Sequence, residues 1–102
     1  MPTMTSEWDD FAKAIKAHII ESGKKYKFND NLELANMLPW EWALGDATKY
    51  MFEILRWVNT GMLTKFTHPR EVMMENLLKA AHCIQISYTK LAQMEEPEAP
   101  KE

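Results

Sequence analysis

Residues 40–60 read WEWALGDATKYMFEILRWVNT and residues 69–93 read PREVMMENLLKAAHCIQISYTKLAQ, and these two stretches decide the fold. In the first, Trp40, Ala43, Leu44, Ala47, Met51, Ile54, Leu55 and Val58 recur at i, i+3, i+4 and i+7, which places them on one side of a helix. In the second, Met73, Leu77, Ala80, Ala81, Ile84, Tyr88 and Leu91 follow the same rule. Residues 61–68 are too few for a crossover, so two stripes of matching length predict a long antiparallel helical hairpin. Its ends carry their own signals. Pro39 can open the first helix, having no amide hydrogen for a helix start to leave unused, and Gly61 stands where a left-handed cap is expected. Thr67 or His68 can cap the second helix, with Pro69 as its first residue and Glu71 in its first turn. The predicted helices are therefore 39–60 and 69–93.

Upstream, Ser6 followed by Asp9 has the spacing of a capping box, and Trp8, Phe11, Ala12, Ile15 and Ile19 line one face until Gly23 offers a stop. This predicts an N-terminal helix over 7–22, after a frayed start over residues 1–5. Leu32, Leu34, Ala35 and Leu38 suggest a short connector helix that Pro39 ends. Residues 95–102 hold four Glu and two Pro with no large apolar side chain, and are expected to form a disordered acidic tail. The reading is an all-α helical bundle over residues 1–94, built on the hairpin.

Composition narrows the function classes. A chain of 102 residues with a net charge of −3 lacks the basic balance of a duplex nucleic-acid binder. No apolar run approaches the roughly 20 residues needed to span a bilayer, and one cysteine, Cys83, allows no internal disulfide. A soluble, cytoplasmic protein is expected, with Cys83 a small buried hydrophobe. Four Trp and eight Met on three main helices of limited mutual area predict a homo-oligomer.

The residues able to carry chemistry lie mainly on the polar side of the first hairpin helix. Trp42, Gly45, Lys49, Phe52 and Arg56 are spaced by three and four and stack along one face. Rings there can take a nucleobase and cations can hold phosphate, with Gly45 as a gap for a ligand. Equally, Trp42 and Phe52 can meet another helix or subunit while Lys49 and Arg56 pair with Asp46 and Glu53. Lys24, Lys25 and Lys27, interleaved with Tyr26 and Phe28, form a smaller patch of the same kind. Asp46 with Glu53, and Glu71 with Glu75, could supply oxygen ligands to Mg²⁺ if the chain were an enzyme. The opposing reading is helix-surface ion pairing, Glu75 with Lys79 among them. His18, His68 and His82 are isolated by spacing, so no zinc site is expected. No Gly-rich phosphate loop is present, no Ser-His-Asp arrangement can be inferred, and no cofactor is called for.

Two segments also carry a resemblance. Residues 42–50, WALGDATKY, and 75–82, ENLLKAAH, resemble a small helical domain of bacteriophages, which occurs alone and within a phage nucleotide kinase that lacks a P-loop. Residues 55–83 are similar to the N-terminal helical domain of phage dATP/dGTP diphosphohydrolases. Asp46 stands where the first pattern has asparagine. The resemblance implies a nucleotide or cyclic nucleotide as ligand, held around Gly45, Lys49 and Tyr50. It also implies a role in nucleotide metabolism or in sequestering a nucleotide signal of host defence. An inhibitor or adaptor acting on a host protein is the alternative from another class.

Overall fold

The computed structural model describes residues 1–26 and 39–94. The expected connector helix, Lys27, Phe28 and the expected tail over 95–102 lie outside these. The described chain forms three helices, α1 (Met4–Tyr26), α2 (Trp40–Thr60) and α3 (Pro69–Gln93), with a 3₁₀ turn at Met62–Lys65. The all-α fold and the hairpin stand as read from sequence.

The first helix begins earlier and ends later than expected. Thr3 Oγ1 accepts from the Ser6 amide at 3.1 Å, and Ser6 Oγ accepts from the Thr3 amide at 2.8 Å. This is a reciprocal capping box one turn upstream of the Ser6–Asp9 pair, with serine in the glutamate position. Gly23 does not stop the helix, because a glycine in a helix interior costs only about 1 kcal/mol against alanine.

Pro39 sits just before α2, its carbonyl accepting from the Trp42 and Ala43 amides at 3.1 and 3.3 Å. Gly61 ends the helix with φ 74°, the left-handed conformation that glycine adopts without steric cost. The 3₁₀ turn then brings Phe66 edge-on to Trp57, ring centres 5.2 Å apart, which closes that end of the hairpin over a buried indole. His68 occupies the cap position of α3 through its backbone; its side chain makes no capping bond.

The packed seam differs from the predicted stripes. On α2 it follows Ala43, Ala47, Tyr50, Ile54 and Trp57, and on α3 Met73, Asn76, Ala80, Cys83 and Ser87, all buried or half-buried. Their spacing alternates between three and four, the heptad rhythm of paired helices. Leu44, Met51, Leu55 and Val58, counted in the α2 stripe, are 41–54% exposed, and Leu77, Ile84, Tyr88 and Leu91 of α3 are 46–74% exposed. Each of these lies one residue after a seam position or a full heptad from one that does, so a second apolar stripe runs beside the seam on both helices. In an antiparallel pair the two displacements turn to the same side of the hairpin.

Two buried polar side chains decide the rotation. Asn76 Nδ2 donates to the Tyr50 carbonyl at 3.1 Å and to Glu53 Oε2 at 2.9 Å, and Ser87 Oγ donates to the Trp40 carbonyl at 2.8 Å. Removing the amide leaves a partly buried carboxylate without its donor, so Asn76→Ala should lower unfolding free energy by about 1–3 kcal/mol in urea titrations. A loss below about 0.5 kcal/mol, the usual range for a surface substitution, would show that these bonds do not hold the hairpin.

Candidate functional site

On α2, at about 100° per residue, the seam and the Trp42–Arg56 face point about 140° apart. Trp42 is 68% exposed and Phe52 63%, with Lys49 and Arg56 exposed beside them. These four form a ridge of alternating rings and cations on the outside of the hairpin. Among the described residues neither cation has an ion-pair partner: Lys49 Nζ lies 5.9 Å from the Tyr50 ring centre, and Glu53, the expected partner of Arg56, faces Asn76 instead. Gly45 lies in the ridge, and a methyl group added there would meet nothing within 4 Å. Close helix packing is therefore not what Gly45 serves.

Other expected site residues are elsewhere. Tyr50 belongs to the seam, with Lys79 of α3 5.7 Å from its ring centre, so it does not share the open ridge. Lys24 and Lys25 are exposed in the last turn of α1, where Lys24 pairs with Glu21 at 3.5 Å. Asp46, Glu71 and Glu75 are exposed while Glu53 is half-buried against α3, and among the described residues no three His, Cys, Asp or Glu side chains gather as a metal site.

Two features escaped sequence reading. The first is a groove of about 630 Å³ between α1 and the hairpin, walled by Phe11, Ile15 and Ile19 on one side and by Met51, Leu77 and Ile84 on the other. The second is a histidine pair: His18 of α1 meets His82 of α3 edge-on at 6.0 Å between ring centres, and Ser22 Oγ lies 3.4 Å from His18 Nε2. Spacing along the chain cannot reveal a pair made by two helices.

Burial lowers the pKa of both rings. Glu75 opposes that shift at His18 while Lys79 adds to it, and His18 itself adds to it at His82. Burial, with the Asp46 carboxylate, pushes the Cys83 thiol up to about 11, so it stays protonated at neutral pH and is no ready nucleophile. What the arrangement presents is an outer ridge of rings and cations, and an apolar groove.

Comparison with known proteins finds no match to this chain, whether among family models, characterised proteins or solved structures. No helix among the described residues is long and apolar enough to cross a membrane.

The histidines make the α1–α3 contact sensitive to acid. With pKa values below the unfolded value near 6.5, they leave folding unpenalised above that pH; below it the unfolded chain takes up protons that the folded contact resists. The urea midpoint should fall as pH drops from about 7.5 to about 5.5, and His18→Gln/His82→Gln should flatten this dependence. A midpoint that rises on acidification in the wild type relative to the double variant would contradict the assignment.

Proposed function

We propose that the chain is a protein-binding adaptor or inhibitor that presents the outer ridge of α2 to an acidic groove on another protein. The observation that carries this reading is the pair of exposed rings, Trp42 and Phe52, set among cations that have no carboxylate partner among the described residues. Tryptophan and arginine dominate binding energy at protein interfaces, and anchors spaced by three and four are how a helix seats in a partner's groove. Carboxylates in that groove would complement Lys49 and Arg56. A convex ridge gives a small molecule little enclosure, whereas ligand sites are typically concave.

A nucleotide on the same ridge is the second reading, favoured by the open space at Gly45 between Trp42 and Lys49. It would stack a base on Trp42 or Phe52 and hold phosphate with Lys49 and Arg56. A thermal-stability screen with nucleoside triphosphates and cyclic dinucleotides separates the two, because a ligand at 100 times its Kd adds about 2.7 kcal/mol. A shift with any nucleotide would favour this second reading over the first.

Trp42→Ala and Lys49→Ala lie off the seam, so each should change folding stability by no more than about 0.5 kcal/mol. Each should weaken partner binding about ten-fold or more, or about 1.4 kcal/mol and upward. The test is a pull-down in parallel with Tyr88→Arg, on the opposite, groove-bearing side. A protein retained by wild type and Tyr88→Arg but lost by both ridge variants supports the proposal; retention indifferent to the ridge variants sinks it.

A further inference from the structure

The contact between α1 and α3 sets two imidazoles beside an apolar groove. His18 and His82 are both half-buried, with ring centres 6.0 Å apart and planes at 81°, and their chain neighbours Ile19 and Ala81 line the groove. Neither histidine has a second one within a turn of its own helix, so the pair exists only because α1 lies against α3. A neutral imidazole carries one N–H and one nitrogen lone pair, and the lone pair is a metal ligand. Zinc holds an imidazole nitrogen at about 2.0–2.1 Å, which sets the ring centre about 3.2 Å from the ion, so two rings sharing one ion have centres about 5–6.4 Å apart. The pair falls inside that range.

We propose that His18 and His82 together bind one divalent transition-metal ion of the zinc type, which fastens α1 to α3. Imidazole suits late first-row ions, and zinc has no geometric preference of its own to set against the directions from which the two rings approach. Water completes its coordination, because among the described residues no third His, Cys, Asp or Glu side chain joins the pair. Two protein ligands make an open, exchangeable site rather than a closed structural one. Ser22 Oγ lies 3.4 Å from His18 Nε2, and when it accepts that nitrogen's proton the lone pair rests on Nδ1. An outer oxygen of this kind is how the tautomer of a metal-binding histidine is fixed. Two charges act on an ion beside His18: the Glu75 carboxylate favours it and the Lys79 ammonium opposes it. His18 stands in the C-terminal half of α1, so the ion ties that half of the helix to the hairpin.

Calorimetric titration of the full chain with zinc chloride at about pH 7.5, above the ordinary histidine range, tests this. The wild type should take up one ion per chain, and His18→Gln and His82→Gln should each weaken binding about ten-fold or more. Lys79→Met, which removes the opposing charge, should tighten it, whereas Cys83→Ser and His68→Gln should leave it unchanged. Zinc should raise the melting temperature of the wild type and not that of either histidine variant. If a variant loses its helical circular dichroism, the ring resonances of the wild type carry the same test, since zinc should shift those of His18 and His82 and spare that of His68. No uptake of zinc overturns the proposal and leaves the two rings as an edge-on packing contact. So does zinc that binds both histidine variants as tightly as the wild type, because the ion would then sit on carboxylates or on Cys83. Uptake of one ion per two chains overturns it as well, placing the ion between copies.

Discussion

Asn76, buried between the two long helices, reaches one carbonyl and one carboxylate of α2, and Ser87, about three turns further along α3, reaches a third acceptor on it. These bonds set how the hairpin is rotated about its own axes. A polar side chain inside a helical seam specifies register at some cost in stability, because any rotation that buries it without partners is worse. Small residues, Ala43, Ala47 and Ala80, surround the bonds and let the backbones come together there. The larger aliphatic residues are thereby turned one step aside.

Three faces of the hairpin then have separate tasks. The seam holds α2 to α3 with Trp57 as its one large buried side chain among the described residues, while its alanines contribute far less than the 1.5–3 kcal/mol or so of a buried leucine or phenylalanine. The stripe beside it leaves Leu44, Met51, Leu55 and Val58 of α2 and Leu77, Ile84, Tyr88 and Leu91 of α3 exposed, and α1 meets α3 through the His18–His82 pair. The outer ridge of α2 is exposed, with Trp42 and Phe52 its large side chains. Trp42, Lys49, Phe52 and Arg56 on this ridge are the side chains that the proposed partner would meet.

The hairpin was readable because helical periodicity, Gly61 and the prolines at 39 and 69 are local signals, and local signals survive folding. The N-terminal start was misplaced by three residues because serine, at the position glutamate usually fills, closed the capping box with Thr3. The seam was misassigned because periodicity marks the whole apolar arc of a helix and does not say which edge of it meets the neighbour. Asn76 and Ser87 were the missing indication: polar residues at heptad spacing with Ala80 and Cys83 point to a seam that runs through them. The ridge residues Trp42, Gly45, Lys49, Phe52 and Arg56 were found together because they share one helix, whereas the groove and the histidine pair depend on how α1 lies against α3. The likeness of residues 42–50 and 75–82 to phage nucleotide proteins rests on short helix patterns that a hairpin of this type produces readily.

The central claim is that Asn76, by reaching Glu53 and the Tyr50 carbonyl across the seam, fixes how α3 is rotated against α2. A double-mutant cycle of Asn76→Ala and Glu53→Ala, read as unfolding free energy in urea titrations, measures this most directly, because the cycle isolates what the two side chains share. The two single losses together should exceed the loss of the double variant by about 0.5–3 kcal/mol. Strictly additive losses would contradict the claim.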